Sequence, residues 1–306
     1  MRRALTAVLT AAALALAGAS AAQPAGSAPG TTVKELTVQG QKGAAPPPSF
    51  KSAASSYVRA HAQESYGGGL SRFLEPVCPL TIGLTPAFDD FVSKRIGEIA
   101  VRVGARRPKA CPDANVLVAV TPDPQQLVDR LSDKHPQILG YHFVPEEKAL
   151  KTFKGPIQAW HMTGTRDLNG TVYVDDPYVS LDNPAMRGPK GWANSRLRHG
   201  MASAIVFALV VVDQNRIEDL PIGAVADHVA ALALSKPSRK RGCSPLPSII
   251  DALDPACPDS AGLETLTDYD EAFLKGLYAT DPEEYPSLEQ GSILLKVLKD
   301  TRPPGK

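Results

Sequence analysis

The clearest hydrophobic pattern lies in the last third of the chain. From Pro221 to Leu234 apolar or small residues run almost all the way round a helix, and Pro237 stands just beyond its end. A helix apolar on every side belongs in a core, not on a surface. Val206 to Val212, just upstream, is rich in Val and Leu at alternate and adjacent positions alike, as a strand buried on both faces requires. Thr267 then caps a helix, with Asp270 at its third position favouring the positive end of the dipole. Phe273, Leu274, Leu277 and Tyr278 form that helix's apolar face, and Ser287 opens a last helix bearing Leu288, Ile293, Leu294 and Leu298.

Earlier in the chain the period changes several times. Ser52 to Gln63 reads as a short helix before the Gly67-Gly68-Gly69 break, with the folded core beginning by Phe73. Thr85-Pro86 is a helix start, a hydroxyl cap followed by proline at the first helical position. Phe88, Phe91, Val92, Ile96, Ile99, Ala100 and Val103 follow at helical spacing, and Gly104 supplies the stop. Ala114 to Val120 reads as a strand, and Asp123 to Leu131 carries Leu127, Val128 and Leu131 on one helical face. Ile157 to Thr163 and Thr171 to Val174 form a hairpin whose Asn169-Gly170 tip tolerates positive φ. Asn169-Gly170-Thr171 is also a glycosylation sequon, although the turn explains it better. Tyr178 to Trp192 is a loop by its Asn-Pro and Gly-Pro pairs, and Asn194 to Ala202 reads as helix. Together these elements predict an α/β (α+β) fold, a mixed sheet packed with helices.

Composition adds the compartment. Residues 1–22 have the basic start, the apolar run and the small-residue end of a cleavable secretory signal. Residues 23–50 are rich in Ala, Pro, Gly and Ser, too poor in large apolar groups to offset ordering entropy, and read as a disordered leader; within it Val33 to Val38 alternates as a short strand does. Residues 51–306 are then a single globular domain, periplasmic or secreted, with about 250 residues to build a core. No later run is long enough to span a bilayer.

The chain has 33 basic and 32 acidic residues, and loss of Arg2 and Arg3 with the signal brings the formal charge to −1. That balance excludes a nucleic-acid or anionic-membrane partner, which needs a basic face. Arg239-Lys240-Arg241 is a solvated loop tip. Four cysteines in an exported chain imply two disulfides, with three pairings possible. The local pairing, Cys78–Cys111 with Cys243–Cys257, is expected. No Cys-x-x-Cys pair is present to hold a structural zinc.

Candidate chemistry centres on Asp227-His228 in the buried helix, with His161 in a strand beside Trp160 and His199 following Arg196 and Arg198. Adjacent helical residues point about 100° apart, so Asp227 and His228 do not form a pair by themselves. His135 and His142 flank Pro136 and Gly140. There is no nucleophile elbow around Ser203, no P-loop and no dinucleotide fingerprint.

The ending of the chain resembles the metzincin type of zinc metallopeptidase. Val225-Ala226 precedes the signature position as an aliphatic-Ala pair does in that family. Pro247-Ser248-Ile249-Ile250-Asp251 is similar to the turn beneath the metal, with Ile250 where methionine stands. Leu266-Thr267-x-x-Asp270 and Leu277-Tyr278 resemble the start and end of the closing helix. Secreted bacterial proteins that carry this same ending are similar as well. The resemblance implies a metallopeptidase-like core, but carried over residue by residue it puts Asp227 at the first ligand, His228 at the base, Ala231 at the second ligand and Pro237 at the third. A catalytic zinc needs three protein ligands and an open position. One ligating side chain in three cannot hold zinc, so no cofactor is expected. The resemblance therefore implies a non-catalytic exported domain that binds a peptide, protein or envelope component, with Asp227, His228, His199 and His161 around its cleft. The alternatives are a hydrolase of another class using histidines and carboxylates of that cleft, and a structural envelope protein with no pocket above Asp227.

Overall fold

Five strands form one mixed sheet in the order β1-β2-β5-β3-β4. The computed structural model describes residues 49–65, 68–175, 198, 200–238 and 242–301. The signal, almost all of the leader with Val33 to Val38, the Tyr178 to Trp192 loop, His199 and the Arg239 to Arg241 tip lie outside the described residues. Those described belong to one compact unit that begins at Pro47.

In chain order the elements are α1 (Phe50–His61), β1 (Pro79–Ile82), α2 (Pro86–Arg102), β2 (Val116–Thr121), α3 (Pro124–Lys134), α4 (Val144–Leu150), β3 (Ile157–Arg166), β4 (Val172–Val174), β5 (Ala202–Asp213), α5 (Gln214–Ile217), α6 (Ile222–Leu234), α7 (Asp268–Ala279) and α8 (Pro286–Asp300). Strands β1, β2 and β5 are parallel, whereas β3 runs antiparallel to β5 and β4 antiparallel to β3. Alternation along β5 explains its composition. Ala208, Val210 and Val212 join the large core with α1, α2, α6, α7 and α8, while Leu209 and Val211 face a smaller core with Trp160, Val128 and Leu150. Helices therefore cover both faces, and the central strand is apolar on both. Trp160 Nε1 is satisfied inside the smaller layer by donating to Leu150 O at 2.9 Å.

Several predicted features differ in instructive ways. The core, expected by Phe73, already begins in α1: Ala54, Tyr57 and Val58 are fully buried, and Ser49 caps the helix through its hydroxyl. In α2 the stripe Val92, Ile96, Ile99, Ala100 is buried as predicted, but Phe88 and Phe91 are 49 % and 43 % exposed. They lie in the first two turns, where the packed stripe has run out. Thr85 makes no side-chain cap; Asp89 Oδ1 instead accepts from Leu84 N–H at 3.1 Å. Leu288 is likewise exposed on α8. The helix predicted to reach Ala202 is not found where the chain is described, because Arg198 bridges Glu284 and Ala202 opens β5. Strand β1 and helix α4 are too short for periodicity to reveal.

The hairpin tip forms as its sequence predicts. Asp167 Oδ1 accepts from the N–H groups of Asn169 and Thr171, at 2.9 and 3.0 Å, and Gly170 takes φ 82°. Between α7 and α8 the need for glycine is one of space. A Cβ at Gly276 would stand 3.1 Å from Ile293 Cα, tighter than an ordinary contact, so glycine lets the two backbones approach there without displacing Ile293. A buried ion pair fastens the same corner. Arg72 reaches Glu289, Leu277 O and, at 2.8 Å, Thr280 O, while Glu289 Oε2 accepts from Leu70 N–H at 3.0 Å. Burial pulls the Arg72 guanidinium down to about 10.

Both disulfides follow the local pairing, Cys78–Cys111 and Cys243–Cys257. The second closes a loop of sequence separation 14 around the Ser248 turn. Replacing Cys243 and Cys257 together by serine is expected to cost about 3 kcal/mol by loop-closure entropy, read as a lower urea midpoint with a slope equal to or steeper than the parent's, since the unfolded chain is no longer cross-linked.

Candidate functional site

Helix α6 lies within the large core, and every residue from Ala224 to Leu234 is buried. Its polar side chains and its terminal carbonyls must therefore be satisfied by other elements. At the C-terminal end three donors do this. Ser235 Oγ donates to Ala231 O at 2.6 Å, and Tyr278 OH from α7 donates to Leu234 O at 3.0 Å. Between them His161 Nε2 lies 2.9 Å from Leu232 O; facing a carbonyl, that nitrogen carries the proton. This contact gives His161 a role in capping the helix end. His142 likewise sets Nδ1 2.6 Å from Gly140 O, closing the turn that follows the Pro136–Leu139 helical turn.

Asp227 is 0 % exposed and faces α2. Arg95 Nε donates to Oδ1 at 2.6 Å and Nη2 to Oδ2 at 3.1 Å, a fork-to-carboxylate pair. Oδ2 also accepts from Leu266 N–H at 3.0 Å. The carboxylate thus binds α2, α6 and the segment leading into α7 together, and this hydrogen bonding raises the Arg95 guanidinium further. His228 is buried on the adjacent face of α6. Ala231, one turn further on, offers only a carbonyl, and that carbonyl holds Ser235. Among the described residues no group of three or more His, Cys, Asp or Glu side chains could hold a metal ion.

Arg95 is 29 % exposed, and its outer side walls a cleft of about 200 Å³ with Phe91, Lys94, Glu98, Gly223, Glu264 and Thr265. A pocket therefore does stand beside Asp227, with Arg95 between the carboxylate and the opening. Two cations and two carboxylates line it together with one aromatic ring. The free edge of β1 offers less to a partner strand. Pro79 has no N–H, and the N–H of Thr81 donates to Ser93 Oγ at 2.9 Å, so the edge is blunted by the chain itself.

A second polar centre joins the Ser248 turn to the helix cap at Thr267, two features the sequence marked separately. Asp270 Oδ1 accepts from Tyr57 OH and Ser248 Oγ, both at 2.6 Å; Oδ2 accepts from Ile249 N–H at 2.9 Å and Thr267 N–H at 3.0 Å. His61 stacks on Tyr57 at 4.1 Å and places Nε2 3.3 Å from Ser248 Oγ. Burial, and then the Asp270 charge, push the Tyr57 phenol well above its ordinary range. Serine, histidine and aspartate meet here, but all three are fully buried and the serine proton points at the carboxylate. The arrangement joins α1, the Ser248 turn and α7; it offers no nucleophile to solvent. The capping box Thr267–Asp270 and the Ser248 turn were each visible in the sequence, but not their meeting with Tyr57 and His61.

Of the four candidate residues, α6 brings Asp227 and His228 to different faces, and β3 directs His161 to the far end of the same helix. His199 lies outside the described residues; its neighbour Arg198 pairs with Asp281 at 2.5 Å. No helix among the described residues is long and apolar enough to cross a membrane. Neither a family model, nor a curated protein, nor a solved structure matches the chain.

Two substitutions separate the roles of the two carboxylates. Asp227→Asn should cost about 3 kcal/mol, the low end for breaking a buried pair because Arg95 can regain water. Tyr57→Phe removes one hydrogen bond to a charged group and should cost about 1.5–3 kcal/mol, leaving the Ser248 and main-chain donors in place. Both are read as shifts in the denaturation midpoint.

Proposed function

We propose that this protein is a non-catalytic, exported binding or scaffold domain on a metallopeptidase-like core. Its ligand is a peptide, protein or envelope component that enters the cleft beside Arg95. The observation that carries the reading is the Arg95–Asp227 pair. Asp227 is the one ligating side chain left at the three positions where the metzincin resemblance sets metal ligands, and it spends both oxygens on Arg95 and Leu266. A metal would have to displace a bidentate, buried ion pair and would still find Ala231 and Pro237 at the other two positions. The Ser248 turn and the closing helix α7, which the resemblance places below and after the metal, are held to each other by Asp270. Support for the scaffold is thus separate from the loss of its chemistry.

The cleft between α2 and the start of α6 suits a ligand better than the β1 edge of the sheet does, because Pro79 and the Thr81–Ser93 bond blunt that edge to strand addition. Exposed Phe91 gives the cleft an apolar anchor, the kind of group that dominates small interfaces.

The mature protein purified without chelators is expected to hold zinc far below one ion per chain and to leave a peptide library uncut. Panning a displayed peptide library against it should enrich sequences whose binding is lost in Phe91→Asp, a change at an exposed position. One zinc per chain with chelator-sensitive cleavage would overturn the non-catalytic reading. Absence of enrichment, or binding unaffected by Phe91→Asp, would remove the cleft as its site.

A further inference from the structure

The described asparagines differ in a way that points to chemistry at one of them. Asn115 is held at both ends of its amide: Oδ1 accepts from Cys78 N–H at 2.8 Å and Nδ2 donates to Pro76 O at 2.9 Å. β-Branched Val116 follows it. Asn215 Nδ2 donates to Pro122 O at 3.1 Å, and Arg216 follows. Asn169 stands exposed at the tip of the β3–β4 hairpin, and its side-chain amide makes no hydrogen bond among the described residues. Gly170 follows it, also exposed, with nothing within 4 Å of the place a Cβ would take.

We propose that Asn169-Gly170 is a self-modifying site, a succinimide-forming pair that converts to aspartate and isoaspartate with water as the sole co-reactant. The main-chain nitrogen of Gly170 loses its proton to solvent base and bonds to Asn169 Cγ. The Cγ–Nδ2 bond breaks, and Nδ2 leaves as ammonia, taking up a proton. Water then opens the five-membered ring at one of its two carbonyls. Opening between Cγ and the nitrogen gives aspartate. Opening at the main-chain carbonyl gives isoaspartate, with the chain now running through the side chain. No electrons are transferred.

Glycine matters because any side chain at 170 would crowd the attacking nitrogen, and because φ 82° is held at little cost only by glycine. One contact opposes the reaction: Gly170 N–H donates to Asp167 O at 3.0 Å and must be released first. It belongs to a small turn network with the Asp167–Thr171 bonds, but hydrogen bonds at an exposed hairpin tip open before those of a core strand, so the fold slows the step without blocking it. The product acts on the fold. Isoaspartate adds a main-chain atom to a turn in which Asp167 Oδ1 gathers two N–H groups, and sets a new carboxylate beside it. Strand β4 is held to β3 by three register pairs next to that turn, so it loosens when the turn does.

The test ages the intact mature protein in mildly alkaline buffer, maps its peptides by mass, and labels isoaspartate with an isoaspartyl methyltransferase. Loss of the amide form is expected at Asn169, with released ammonia matching it, and not at Asn115 or Asn215. Asn169→Ser should give no label. Amides of 172–174 should exchange faster in aged protein than in fresh, with no such change in aged Asn169→Ser. Persistence of the amide at 169 in the folded chain, while the excised peptide converts, would overturn the proposal. So would equal conversion at Asn115 or Asn215. Unchanged exchange at 172–174 in converted protein would overturn the effect on β4.

Discussion

A helix buried on all sides can keep no polar group that another element does not answer, and α6 imposes that condition on its surroundings. Its composition guarantees burial, and burial then dictates what must stand nearby. The carboxylate of Asp227 requires a cation, which α2 supplies as Arg95, and a spare oxygen takes the Leu266 N–H. The C-terminal carbonyls require donors, and β3, α7 and Ser235 supply them. Residues that would draw attention as chemistry in isolation, a histidine in a strand and an aspartate in a core helix, are explained by that demand. An unpaired charge in such a place would cost several kcal/mol, far more than a surface ion pair contributes.

Asp270 answers a different need. The Ser248 turn has main-chain N–H groups in the protein interior, and α1 brings a phenol and an imidazole to the same point. One carboxylate at the first turn of α7 accepts from the phenol, the Ser248 hydroxyl and the Ile249 N–H, while also accepting the Thr267 N–H at the start of its own helix. With four donors on its two oxygens, this buried carboxylate has its hydrogen-bonding capacity met from three separate segments. Three segments distant in the chain are thereby fixed relative to α6, and the Cys243–Cys257 bridge closes the loop that carries the turn. The cleft beside Arg95 inherits its shape from this rigidity, since its far wall, Glu264 and Thr265, leads directly into α7.

Local sequence made much of this legible. Pro221 and Pro237 bracket α6, Thr267 and Asp270 form the capping box, and Asn169-Gly170 turns the hairpin, each because a few neighbouring residues suffice to set the backbone. The double-sided apolar character of β5 announced helices on both faces of the sheet. Short elements such as β1 and α4 gave no period to read, and Phe88 and Phe91 continued a helical stripe past the end of the layer it packs against. Periodicity reports which residues share a face; it says nothing of how far the opposing layer extends.

The sequence by itself therefore determined the longer elements and most of their inner faces, and made the local cysteine pairing the expected one. Only the tertiary structure decided what Asp227, His161 and Asp270 do. Asp227 meets Arg95 across a separation of 132 residues and Asp270 meets Tyr57 across 213. Those pairings arise from the crossing of packed helices, which depends on the shapes of both surfaces at once, and no local pattern encodes it.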